Sequence, residues 1–191
     1  NTFKKIISDG ISSLSSVFGS NKSDSSFLGV DIGSSSIKVV QLKKKNGKAI
    51  LETYGVLSLG PYSNSGVGAV TSLKVEDISR ALIDVMKESN VTTKSAVISI
   101  PSLSSLIFTI LLPSKIDESQ MSKVVPIEAR KYIPVPITEV SLDWFVIPNV
   151  AESMESDGLT SGVVEQKTEV LVVAIHNDTL SQYQEILKKT D

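Results

Sequence analysis

The segment that most restricts what this chain can fold into is Asp31-Ile32-Gly33-Ser34-Ser35-Ser36-Ile37-Lys38. Before it, Phe27-Leu28-Gly29-Val30-Asp31-Ile32 has the composition of a strand, and Ile37-Lys38-Val39-Val40-Gln41-Leu42 has it again afterwards. The residues between, Gly33 to Ser36, form a tight turn, so the pair reads as a hairpin. A turn of Gly and Ser exposes several backbone N–H groups with little side-chain obstruction, and a concave set of such donors binds phosphate oxygens. Gly33 permits close backbone approach. The hydroxyls of Ser34, Ser35 and Ser36 can donate further hydrogen bonds, and Lys38 can neutralise phosphate charge. Asp31, at the end of the first strand, can hold a magnesium ion through water, since magnesium keeps several of its waters. The turn leads into a strand and not a helix, which excludes a Rossmann fingerprint. The Gly-x4-Gly-Lys spacing of a Walker A loop is missing. An ordinary hairpin with a serine-rich turn and a surface lysine accounts for the same residues, so the motif alone leaves both readings open.

The rest of the chain alternates strands and helices. Asn46-Gly47 is a hairpin signal, and a third strand is predicted over Ala49 to Ser58. Lys43-Lys44-Lys45 and Lys48 flank that turn and read as solvated. Gly60 to Gly68 is a loop, after which Val75, Ile78, Ala81, Leu82, Val85 and Met86 share one face of a helix over 75–89. Strands are predicted at Ala96 to Ile100, Ser105 to Leu112, Val140 to Ile147 and Val170 to Ile175. Asp117 with Gln120 has the spacing of a capping box for a helix over 118–132, stopped by Pro134 and Pro136. Pro126 inside it removes a backbone hydrogen bond at ~3 kcal/mol or more and bends the helix or delays its start. Residues 149–167 read as an acidic loop, and Thr179 to Lys189 as a final helix. The order is that of an α/β chain with a small insertion.

Residues 1–18 place Phe3, Ile6, Ile7, Ile11, Leu14, Val17 and Phe18 at helical spacing, and GSNKSDSS at 19–26 is a linker by composition. This amphipathic segment admits contact with a membrane, or packing on a partner or on the protein itself. The net charge of −2, from 19 basic and 21 acidic residues, gives no general attraction to nucleic acid. Cysteine is absent, which excludes disulfides and thiol chemistry, and a single histidine, His176, excludes a two-histidine metal site. His176 reads as structural, and Glu128, Glu139 and Asp143 as solvated or capping carboxylates. Trp144 and Phe145 read as strand residues with one face in the core. The start at Asn1 and the end within a charged, helix-like stretch read as a piece of a longer protein.

The hairpin resembles the first phosphate loop of the actin, Hsp70 and sugar-kinase superfamily, of the form Asp-x-Gly-Ser/Thr followed by a Lys. Within that superfamily the chain is most similar to the PilM family of type IV pilus assembly, related to FtsA. The resemblance is carried by Leu28 to Val40, by Glu128-Ala129-Arg130-Lys131-Tyr132-Ile133-Pro134-Val135-Pro136-Ile137 continuing through Glu139-Val140 to Leu142-Asp143-Trp144, and by Glu169-Val170-Leu171-Val172-Val173-Ala174 with Tyr183, Ile186 and Leu187 beyond. The middle block is the one specific to PilM.

The resemblance implies an actin-like ATPase (ribonuclease H-like) α/β fold. Residues 27–95 and 168–191 would form subdomain 1A. Residues 96–148 would form an inserted small α/β subdomain 1C, an SHS2 domain that replaces actin's 1B. It implies ATP and Mg2+ as cofactors, with Asp31, Gly33, Ser34, Ser35, Ser36 and Lys38 as their contacts and Asp31 on the metal. The second phosphate loop and the adenosine segment would lie beyond this chain. As a partner it implies the N-terminal peptide of PilN, held between 1A and 1C, together with other pilus machinery. The location implied is cytoplasmic, at the inner face of the cell membrane. At most a slow ATPase is implied, acting as a nucleotide-regulated scaffold. The alternatives are an FtsA-like division protein that polymerises at the membrane and a sugar-kinase-like phosphotransferase.

Overall fold

A computed structural model describes residues 25–113, 116–147 and 167–190. The chain divides into two compact units, residues 1–101 with 178–191, and residues 102–177 between them.

In the first unit, β1 (Ser26–Ile32), β2 (Ser36–Lys45), β3 (Lys48–Ser58) and β4 (Ala96–Ser99) form a sheet of order β3-β2-β1-β4. β1, β2 and β3 are a meander of antiparallel neighbours, and β4 joins β1 in parallel. The β2–β3 turn is the Asn-Gly signal realised: Asn46 (φ 51°) and Gly47 (φ 73°) both adopt the left-handed region that such two-residue turns require. Strand alternation sends Leu28, Val30, Ile32, Ile37 and Val39 to one face, where all are buried. That face is covered by α1 (Val75–Glu88), through Ala81, Leu82 and Val85, and by α3 (Asn177–Lys189), through Ile186 and Tyr183. α1 approaches β3 so closely that a Cβ built on Gly55 would lie 1.9 Å from Ser89 Oγ. Gln41, a long polar side chain buried on this face, is hydrogen-bonded through both its nitrogen and its oxygen. Its amide nitrogen donates to Glu52 and Thr92 Oγ1, and its carbonyl accepts from the Thr92 amide.

In the second unit, β5 (Ser105–Pro113), α2 (Glu118–Ala129), β6 (Val140–Val146) and β7 (Lys167–His176) build an antiparallel sheet of order β5-β7-β6 with α2 packed on it. Its core joins Ile110 and Leu112 of β5 to Val170, Val172 and Ala174 of β7 and to Met121, Val125 and Ala129 of α2. Trp144 packs against this core, whereas Phe145, on the opposite face of β6, is 62% exposed.

Several sequence expectations shift. β7 was expected with subdomain 1A, but it is hydrogen-bonded on both sides, to β5 and β6, and therefore lies in the second unit. Only the helix after it returns to the first. Conversely, β4 was expected in the inserted lobe, but its parallel pairing with β1 places it in the first unit. α2 passes through Pro126 and ends at Ala129, three residues before the predicted 132. At its start the Asp117 carboxylate makes no cap bond. The backbone carbonyl of Asp117 instead accepts from the amides of Gln120 (2.8 Å) and Met121 (3.2 Å). The amphipathic segment 1–18 and the linker 19–26 up to Asp24 lie outside the described residues, as does the acidic loop apart from Lys167.

Candidate functional site

The phosphate-hairpin residues converge at the end of β1. Registration pairs Asp31 with Lys38 on β2 and with Ser99 on β4. Lys38 Nζ lies 3.2 Å from Asp31 Oδ2, and Ser99 Oγ donates to Asp31 Oδ1 at 2.9 Å. The Ser99 hydrogen bond first, and then the one from Lys38, hold the Asp31 carboxyl below its usual range. Both members of the ion pair are wet, with 57% of the Lys38 side chain and 49% of the Asp31 side chain exposed. Tyr183 of α3 stands near enough that the Asp31 charge, after burial, pushes its phenol upward.

The turn between β1 and β2 is fastened from behind by the loop that follows β3. The Leu59 amide donates to the Ser35 carbonyl at 2.9 Å, and the Thr71 amide donates to the Ser34 carbonyl at 2.8 Å. Within the turn, the Gly33 amide donates to the Ser36 carbonyl at 3.0 Å. Gly33 therefore acts through its shape, since a Cβ there would lie 3.2 Å from that same oxygen, and its N–H is already committed. In a trans peptide the C=O and the following N–H point in opposite directions. Carbonyls tied back to the loop thus turn the Ser35 and Ser36 amides away from it. Such a turn, with amides directed away from the loop that ties its carbonyls and a half-exposed ammonium beside it, has the chemistry to receive an anion.

The model for the type IV pilus assembly protein PilM matches residues 29–191. This chain belongs to the PilM family. Among solved structures it is similar to the PilM-PilN type IV pilus biogenesis complex, with 22% identity and a TM-score of 0.65 over 85% of this chain and 44% of that one. It is also similar to the cytoplasmic domain of EpsL, an inner membrane component of the type II secretion system of Vibrio cholerae, with 14% identity and a TM-score of 0.49 over 87% of this chain and 53% of that one. The PilM-family chain therefore spans less than half the length of the solved PilM chain it matches. Its fold is actin-like, with the small α/β unit inserted between β4 and α3.

For magnesium, the hairpin motif offers the Asp31 carboxylate. Among the described residues no group of three or more His, Asp or Glu could enclose a metal. Asp31 has a free lone pair on each oxygen beyond those engaged by Ser99 and Lys38. That donor set does not fit a protein-caged ion. It does fit an ion that arrives with its own waters and phosphate oxygens.

Of the residues predicted for the site, Asp31, Gly33, Ser34, Ser35, Ser36 and Lys38 are all brought to one end of the hairpin. Ser99, Thr71 and Leu59 were not foreseen. Ser99 carries a weak signal, as the last residue of a strand that stops before Pro101. Thr71 carries none, because its contact depends on how a 13-residue stretch, from Leu59 to Thr71, folds back on the turn. Two other carboxylates make local contacts: Glu128 pairs with Lys131 at 2.6 Å, and Glu139 lies 3.7 Å from His176 Nε2. A cavity of about 490 Å³ is lined by Leu28 and Val30 of β1 together with Leu82, Met86, Ala96 and Leu187, and none of Asp31, Lys38 or the turn residues Gly33 to Ser36 lines it.

Proposed function

We propose that this chain is part of a nucleotide-binding scaffold of type IV pilus assembly, binding ATP with magnesium at the β1–β2 turn. The observation that carries the reading is the cross-strand set Asp31, Lys38 and Ser99 beside a turn whose carbonyls are tied backward. Phosphate oxygens would take the Ser35 and Ser36 amides and the Lys38 ammonium. Asp31, relieved of Lys38, would hold the hydrated metal. The ion pair seen here is then a resting arrangement in which each member stands in for the other's ligand. The remaining phosphate and adenosine contacts would come from outside this chain, in keeping with its 44% coverage of the solved PilM.

The partner in this reading is the N-terminal tail of PilN, supported by the similarity to a PilM–PilN complex. ATP would set the domain geometry that this tail and the cytoplasmic motor components sense, with turnover slow or dispensable. The place of action would be cytoplasmic, against the inner face of the cell membrane. Among the described residues no helix is long and apolar enough to cross a membrane.

The test is a calorimetric titration of the full-length protein with Mg-ATP, alongside capture of a PilN N-terminal peptide. The hypothesis expects saturable ATP binding that weakens at least tenfold in Asp31→Ala, and peptide capture by the wild type. Equal affinity in wild type and Asp31→Ala would remove the site assignment, and failure to retain the peptide would remove the partner.

A further inference from the structure

We propose that Thr71, outside the hairpin motif, is the positioning residue that aims the Ser35 amide at a bound phosphate. The inference rests on the nucleotide reading above. Two groups of Thr71 converge on one atom: its amide (2.8 Å) and its Oγ1 (3.2 Å) both donate to the Ser34 carbonyl oxygen. A carbonyl oxygen has two lone pairs, and here both are engaged by the same residue. The Ser34–Ser35 peptide is planar and trans, so fixing its C=O fixes the opposite direction of the Ser35 N–H. A turn of small residues has little side-chain packing to hold its peptides in one orientation. The pair of hydrogen bonds from Thr71 supplies that constraint from behind, where it cannot obstruct the ligand.

Thr71 can do this because its own loop is braced. The Ser65 amide donates to Gly60 O at 2.8 Å, the Ala69 amide to Gly66 O at 3.1 Å, and the Gly68 amide to Ser58 Oγ at 3.0 Å. Tyr62 ties the loop to α1 by donating to Asp84. Donors fixed in advance bind more strongly than donors that must be ordered by the ligand.

The experiment uses the full-length protein and Mg-ATP. Thr71→Val keeps the shape and the backbone donor but removes Oγ1, whereas Thr71→Ser keeps the hydroxyl. We expect Thr71→Val to weaken ATP roughly five- to tenfold, in line with one hydrogen bond. Thr71→Ser should restore wild-type affinity within twofold, and the melting temperatures of all three proteins should agree within about 4 °C, the shift that the loss of one hydrogen bond allows. If the wild type binds ATP and Thr71→Val binds it equally well, the positioning role is wrong and the nucleotide reading stands. If the wild type fails to bind ATP, both are wrong. If Thr71→Val and Thr71→Ser weaken ATP alike, the hydroxyl is not the acting group and the proposal falls.

Discussion

Removing the charge of Lys38 while keeping its stem separates the two things this residue could do. In Lys38→Met most of the aliphatic stem is kept, but the ammonium beside Asp31 is gone. The structure makes the stability consequence small. The pair is 3.2 Å apart, yet its members are 57% and 49% exposed, so water screens it. Exposed pairs of this kind contribute about 0.2–1 kcal/mol. For a chain of this size that corresponds to a melting shift of about 4 °C at most. The ligand consequence is larger. A charge-assisted hydrogen bond to phosphate is worth about 1.5–3 kcal/mol, which is roughly a 10- to 150-fold loss of affinity. The prediction is therefore a split, with a near-native melt and a weakened Mg-ATP titration measured on the same preparation of full-length protein. ATP affinity within twofold of wild type would refute the reasoning. So would a melting loss well beyond 4 °C, since the ion pair would then be structural.

Three further predictions address the supports of the site and the fold. Gly60→Ala places a Cβ 1.9 Å from the backbone carbonyl oxygen of Gly66. It should destabilise the first unit by about 1–3 kcal/mol, seen in urea melts, and should lower ATP affinity by loosening the loop that holds the turn. Pro126→Ala restores the amide that α2 lacks for the Ser122 carbonyl, and should stabilise the second unit by about 1–3 kcal/mol; a lower melting temperature would show that the ring is needed for packing. Ser99→Ala removes the first cause of the lowered Asp31 pKa. A depressed carboxyl stabilises the fold above its unfolded value of about 3.9, and that contribution is lost as pH falls through the folded value. The variant should therefore lose less stability than wild type between about pH 4 and pH 2, by well under ~1 kcal/mol given how exposed Asp31 is. Identical acid limbs in denaturant melts would contradict it.

The local elements of this protein are written in short stretches of chain. Val30, Ile32, Ile37 and Val39 alternate because a strand alternates, and Asn46-Gly47 turns because both residues tolerate positive φ. Ala81, Leu82 and Val85 face the sheet because they recur at helical spacing. The candidate site residues, Asp31 and Gly33 to Lys38, are legible for the same reason: they fall within eight consecutive residues, and a hairpin sets their geometry by itself. Lys38 stands across from Asp31 by register alone.

What tertiary structure decided lies between segments far apart in sequence. Ser99 reaches Asp31 only because β4 inserts in parallel beside β1, 68 residues later. Thr71 reaches Ser34 only because a loop folds back behind the turn. The sheet that β7 joins is illegible in the sequence for a related reason. A buried strand of Val, Leu and Ala fits any sheet, and only its hydrogen bonds to β5 and β6 show which one it joins. Periodicity encodes which face of an element is buried, whereas the partner that buries it depends on the closure of long loops and is written in no single stretch of chain.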